Sequence, residues 1–127
     1  MKVVDMHCDT IGEIYDRQKK GEAMSIRSND FHLDLEKMAK GDYALQNFAM
    51  FVHLKKREKP FECAMEMIDR FYQEMEANKD LISVVKTYED IEKNWKEGRM
   101  SAMLTLEEGG VCLGNLTFLR DFYRLGV

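Results

Sequence analysis

The segment YALQNFAMFV, residues 43–52, is apolar at successive positions and would therefore be apolar on both faces of a strand. Such a strand is typical of a parallel sheet covered on both sides, whereas a strand with one solvated face alternates apolar and polar residues. Parallel neighbours need long crossover connections, which are usually helices. The segment therefore predicts an α/β fold in which helices connect the strands.

The rest of the chain alternates in the same way between short strand-like runs and amphipathic helical patterns. Further strands are predicted at 2–9, 81–87 and 100–110, and helices at 10–22, 33–42, 60–80, 87–99 and 115–127. Thr10 is predicted to cap the first of these helices and Thr87 a later one. The order of elements favours a mainly parallel sheet with right-handed crossovers.

The composition narrows the classes of function. The 127 residues suit one domain and carry a net charge of -4, and HLKKREK (53–59) is the only basic cluster. A nucleic-acid-binding protein would need a sustained basic patch. No run approaches the ~18 apolar residues of a membrane-spanning helix. Three widely spaced cysteines without a C-x-x-C pair favour reduced thiols and a cytoplasmic location.

The opening VVDMHCDT places a histidine and an aspartate two residues apart. Strict alternation along a strand puts His7 and Asp9 on one face and Cys8 on the other. The two Cα atoms would lie about 6.6–6.8 Å apart, so the imidazole and the carboxylate can converge on one metal ion. A hydrogen-bonded His–Asp pair at the end of a strand is the alternative interpretation of this spacing.

The position of these residues supports the metal interpretation. Parallel α/β folds gather functional groups at the carboxyl ends of their strands. His7 and Asp9 end the first strand, and Glu107 and Glu108 end a later strand of the same direction. Buried carboxylates need a cation, so one shared metal ion explains both strand ends. The two glycines at 109–110 would let the chain turn tightly beside the site.

Three stretches also resemble one protein family. VVDMHCDT resembles the D-x-H-x-D opening of the membrane dipeptidases, or renal dipeptidases, in the amidohydrolase superfamily. LTLEEGGVCLGNLTFLRDFYRLGV is similar to their E-G-G region, and FHLDLEKMAKGDYALQNFAMFV is similar to their second strand and the helix before it. The resemblance implies the N-terminal portion of a (β/α)8 TIM-type metallohydrolase barrel, with residues 1–127 as a single, incomplete domain.

The resemblance also implies a chemistry. A member of this family would be a zinc-dependent dipeptidase, in which a hydroxide bridging two zinc ions hydrolyses a dipeptide. His7 and Asp9 would bind one metal, Glu108 would bridge both, and Glu107 would face the outer layer or a loop. No catalytic residue is assigned within the chain, and its substrate-binding residues are unknown.

Other residues are predicted to lie outside the metal site. His32 and His53 do not match the family's later histidines, which favours surface or supporting roles. Cys8 is expected to pack against the core and Cys112 to be an inert thiol. The chain departs from the family at Asp42 and Tyr43, where the family tends to have a glycine pair.

The chain is short for the implied barrel, which usually needs about 250 residues. Three or four strands cannot close a barrel, so the open edges predict self-association or docking with a separate C-terminal half. Three ligands shared by two ions predict that the isolated chain is incomplete or inactive. Two alternatives stay open: a non-catalytic α/β interaction or assembly module, and a stand-alone hydrolase with one metal ion.

Overall fold

The computed structural model describes residues 1–127 as an alternation of strands and helices. The strands are β1 (Val3–Asp5), β2 (Tyr43–Met50), β3 (Ile82–Val84) and β4 (Met100–Leu106). The helices are α1 (Thr10–Lys19), α2 (Leu35–Lys40), α3 (Pro60–Ala77), α4 (Tyr88–Lys96) and α5 (Leu116–Leu125), with a 3₁₀ turn at Gly109–Cys112. None of the helices combines the length and the apolar character needed to cross a membrane.

The four strands form one sheet in the order β1-β2-β4-β3, and every neighbouring pair is parallel. The predicted fold class, α/β with a parallel sheet and helical crossovers, is therefore confirmed. β2 pairs with β4 from Leu45 opposite Ser101 to Met50 opposite Leu106. β3 lies outside β4 and pairs only with its first residues, ending beside Ala102. The second half of β4 consequently has a strand neighbour on one side only.

β2 is buried on both of its faces, as its composition predicts. Phe48 and Met50 are fully buried in the main hydrophobic cluster, under the helices. Leu45 and Ala49, on the alternate positions, are also buried but lie outside that cluster. A central strand enclosed in this way holds its carboxyl end in a fixed place, between the ends of β1 and β4.

The longest helix, α3, anchors this core. Pro60 begins the helix, where its missing N–H costs no intrahelical hydrogen bond. The residues at helical spacing along one face are buried, and Phe71 packs on Phe48 with 5.8 Å between the ring centroids. Each large apolar side chain buried here contributes roughly 1.5–3 kcal/mol. The packing fixes β2, and with it the loop that follows β2.

Local hydrogen bonds set the ends of the other helices. Thr87 and Asp90 form the predicted capping box at the start of α4. Asn115 caps α5 by accepting a hydrogen bond from the Thr117 N–H. Gly126 ends the same helix with a φ of 106°, a left-handed conformation that glycine adopts without strain. These ends were all predictable from the residue types at each boundary.

Candidate metal centre

The chain leaves β1 through a local irregularity that positions the candidate ligands. Asp5 lies opposite Gln46, and its Oδ1 accepts a hydrogen bond of 3.1 Å from the His7 N–H. Cys8 rejoins the sheet: its N–H donates to the Asn47 carbonyl at 3.1 Å, and its carbonyl accepts from the Ala49 N–H at 2.9 Å. The first segment therefore contains one residue more than the matching stretch of β2, as in a β-bulge.

This irregularity overturns the strict alternation predicted for residues 3–10. Cys8 packs against the hydrophobic core as expected, but Val4 and Met6 do not share its environment. Their side chains are 56% and 65% exposed. Bulges commonly change the direction of side chains beside functional sites. Here the bulge turns His7 towards the end of β4.

Three side chains meet at the carboxyl ends of β1 and β4. His7 Nε2 lies 3.5 Å from Asp9 Oδ1 and 3.3 Å from Glu107 Oε2. The candidate ligand atoms of these three residues all lie within 4.8 Å of one another. This is the one group of three or more such side chains in the chain that is close enough to hold an ion.

The donor set fits a divalent metal ion. One imidazole nitrogen and two carboxylate oxygens are ordinary zinc ligands. Ligands placed tetrahedrally about 2.1 Å from zinc lie about 3.4 Å from one another. The two separations made by His7 match that spacing closely. About half of each side chain is exposed, so further positions around an ion would be open to water or to other ligands.

The structure brings Glu107, and not Glu108, to His7 and Asp9. Glu107 continues the face of β4 that carries Met103 and Thr105, because alternate residues of a strand share a face. The expectation that Glu107 faces the outer layer or a loop is therefore wrong. Alternation from Thr105 places Glu107 on this face once the register of β4 is known.

Glu108 instead closes the next turn. Its Oε1 accepts a hydrogen bond of 2.9 Å from the Gly110 N–H, at the start of the 3₁₀ turn. A Cβ on Gly110 would meet the Leu54 side chain at 2.4 Å and Glu108 Oε1 at 3.1 Å. The glycine therefore allows the close approach that the tight turn requires. The hydrogen bond uses only one of the two carboxylate oxygens, but Glu108 does not join the group formed by His7, Asp9 and Glu107.

Asp9 occupies the N-cap position of α1 without capping it. Its carboxylate makes no hydrogen bond to the helix, and α1 begins at Thr10, so the prediction of Thr10 as the cap is wrong. The side chain is consequently available to His7. The positive end of the helix dipole favours a negative charge in this position.

The remaining candidates lie apart from the three ligands. Burial raises the pKa of the Cys8 thiol to about 11, as expected for a packing residue. Cys112 is buried in the same core, and all three cysteines are free. His32 is exposed in the loop before α2, and His53 is exposed in the loop after β2. Neither histidine joins the cluster.

These features together define a parallel α/β protein with a candidate metal site at the carboxyl ends of its strands. The profile of the membrane dipeptidases, peptidase family M19, matches residues 1–127. The chain therefore belongs to the membrane dipeptidase family. A comparison with curated protein sequences gave no match.

Solved structures of metallopeptidases share the fold. The dipeptidase AC, a metallo peptidase of family M19, superposes with a TM-score of 0.87 at 21% identity, covering 100% of this chain and 41% of that one. A metallo peptidase from Rhodobacter sphaeroides, bound to a phosphinate mimic of the dipeptide L-Ala-D-Ala, gives 0.84 at 18%, covering 100% and 44%. The probable dipeptidase PvdM from Pseudomonas aeruginosa gives 0.64 at 14%, covering 93% and 36%.

The chain thus spans less than half the length of these structures. The family is one of metal-dependent peptidases that act on dipeptides, which agrees with the class of function expected from the sequence.

Proposed function

We propose that the chain provides the first metal-binding segment of a zinc-dependent dipeptidase. The observation that carries the proposal is the convergence of His7, Asp9 and Glu107 in a member of this family. His7 would bind the ion through Nε2, the nitrogen that faces both carboxylates. A bound zinc ion would polarise the scissile carbonyl and increase the acidity of water.

The chain's own residues would hold and orient the ion. Asp9 is fixed by the start of α1 and Glu107 by the end of β4, so two rigid elements set the spacing of the carboxylates. The bulge after Asp5 holds the backbone of His7 through the Asp5 side chain. Glu108 is a second candidate, because its hydrogen bond with Gly110 uses only Oε1 and leaves Oε2 available.

A zinc titration of the full chain tests the metal site. Calorimetry should show binding by the wild-type chain that is lost on His7→Ala and kept on His32→Ala, a histidine outside the cluster. Equal zinc binding by the wild-type chain and His7→Ala would contradict the proposal. We expect no dipeptide turnover from the isolated 127 residues, because three ligands are few for a site with two ions.

A non-catalytic assembly role is the second candidate function, and the open sheet edges favour it. The second half of β4 lacks a neighbour on its outer side, beside a groove of about 470 Å3 that contains Leu104, Leu106 and Val127. Leu116, Leu119 and Tyr123 are exposed on the adjacent helix α5. Self-association, or docking with a separate C-terminal half, would cover these surfaces.

Analytical ultracentrifugation over a range of concentrations separates these candidates. A chain that associates but binds no zinc would support the assembly role alone. A monomer at every concentration would contradict self-association.

We also propose that the protein works in the reducing cytoplasm, because all three of its cysteines are free.

A further inference from the structure

The central strand β2 carries a polar side chain inside the apolar core. Gln46 is 0% exposed, and it is the one polar member among the largest fully buried side chains. It shares a face of β2 with Phe48 and Met50, which belong to the main hydrophobic cluster. Burial of an amide is unfavourable unless hydrogen bonds replace those made with water. The hydrogen bonds of Gln46 therefore indicate what this residue does.

These hydrogen bonds connect the two ends of the bulge between β1 and Cys8. Gln46 Nε2 donates to the Asn47 carbonyl at 2.9 Å and reaches the Asp5 carbonyl at 3.5 Å. The Asn47 carbonyl also accepts the hydrogen bond from the Cys8 N–H, at 3.1 Å. The side-chain amide of Gln46 consequently links the last residue of β1 to the point at which Cys8 rejoins the sheet.

The residues between these two points include the first candidate metal ligand. β1 ends at Asp5, and residues 6 and 7 lead from it to Cys8. The Asp5 side chain restrains the same backbone, because its Oδ1 accepts a hydrogen bond of 3.1 Å from the His7 N–H. Gln46 and Asp5 therefore hold the bulge through different atoms. A return to regular alternation would shift His7 by one position relative to β2 and turn its side chain to the other face.

The Gln46 amide is only partly satisfied by the fold. Its Oε1 is buried and accepts no hydrogen bond within the chain. A buried acceptor without a donor opposes folding, and an apolar side chain of the same length would avoid that cost. Residues of this kind are expected where a function, rather than stability, determines the side chain.

We propose that Gln46 is a positioning residue for the metal centre, whose amide holds the bulge in the register that directs His7 and Asp9 towards Glu107. The inference rests on the proposed function, because it concerns the same three ligands. Gln46 acts through the backbone of Asp5 and Asn47 and not by contact with the ion. Loss of the amide should therefore affect the ligands more than the fold.

Gln46→Met tests the proposal, because methionine keeps the length and the apolar packing but removes the amide. In the metal-free full chain, 15N NMR should show the amide protons of His7 and Cys8 exchanging about tenfold faster or more. The zinc Kd from calorimetry should rise by about tenfold or more, as for other residues that orient metal ligands. The midpoint of urea denaturation should stay at or above that of the wild type, because the unpaired Oε1 is removed as well.

Gln18→Met is the matched control. Gln18 also has a buried, unpaired Oε1, but its Nε2 donates to the Met24 carbonyl and to Glu74, which are not part of the bulge. This variant should leave the exchange of the Cys8 amide and the zinc Kd within about twofold of the wild type.

The second restraint provides an independent pair of variants. Asp5→Ala should accelerate exchange of the His7 amide, because it removes the acceptor for that N–H. Asp5→Asn keeps an oxygen at the same place and should restore the slow exchange.

A parallel loss of stability and zinc affinity in Gln46→Met would overturn the proposal, because a purely structural residue lowers both. Unchanged exchange at His7 and Cys8 would overturn it as well. A wild-type chain that binds no zinc would contradict the proposed function instead, and the exchange rates would still decide whether Gln46 holds the bulge.

Discussion

His7 Nε2 lies 3.3 Å from Glu107 Oε2, although β2 separates the strands that carry the two residues. His7 follows β1 and Glu107 follows β4, so both side chains lie at the carboxyl ends of their strands. We predict that Glu107→Gln weakens zinc binding by about tenfold or more, since it removes a charged ligand. Calorimetric titration of zinc measures the effect.

Glu108→Gln is the matched control for that change. The amide oxygen can still accept the hydrogen bond from Gly110, so the turn should persist. We expect the zinc affinity of this variant to stay within about threefold of the wild type. The reverse ranking of the two variants would assign the ligand to Glu108, as the family resemblance suggests.

A second prediction concerns the buried carboxylate of Asp34, which caps α2. Burial opposes its ionisation, but hydrogen bonds from Lys37 and from the Asn29 N–H outweigh that effect and lower its pKa. Asp34→Ala should lower the free energy of unfolding by about 1 kcal/mol at neutral pH. Chemical denaturation followed by circular dichroism measures this difference.

The same carboxylate gives the stability a defined pH dependence. Because the pKa of Asp34 is lower in the folded chain, its contribution is complete above the unfolded pKa of about 3.9 and is lost as the pH falls through the folded pKa. The wild type and Asp34→Ala should therefore converge in stability on acidification. A difference that is constant with pH would show that the charge is not responsible.

A third prediction tests the packing of α3 on β2. Phe71 is fully buried against Phe48, so Phe71→Ala should destabilise the chain by about 3–5 kcal/mol. Tyr88→Ala is the matched control because Tyr88 is 68% exposed, and it should change the stability by no more than about 0.5 kcal/mol. Urea denaturation of both variants gives the comparison. Similar losses in the two would contradict the described core.

A fourth prediction concerns the turn before β2. Asp42 has a left-handed backbone with a φ of 57°, and its carboxylate pairs with Lys2. Asp42→Val should destabilise the chain by about 1–2 kcal/mol, because a branched side chain is strained in this conformation. Asp42→Gly should be nearly neutral, since relief of strain offsets the loss of an exposed ion pair. Thermal melting distinguishes the two variants.

The parts of the fold that depend on short-range patterns were predictable from the sequence. β2, α3 and the capping box at Thr87 follow from residues that lie close together along the chain. The class of site was also predictable, because His7 and Asp9 end a strand and parallel sheets gather polar groups there.

The parts that depend on register were not predictable in the same way. Whether Glu107 or Glu108 faces His7 depends on where the β4 ladder ends, and one residue of slip reverses the answer. The bulge before Cys8 is set by hydrogen bonds to Asn47 and Ala49, which are distant in sequence. Likewise, nothing in the run around Ile82 indicates that β3 lies outside β4.

The short length of β3 would link assembly to metal binding if another segment extended the sheet at β4. A segment that paired in parallel with Met103–Leu106 would end beside Glu107. The residues at its carboxyl end would then lie next to the candidate metal site. Recruitment of that segment and delivery of additional ligands would then be one event. Zinc affinity would consequently rise with protein concentration if the segment came from another molecule.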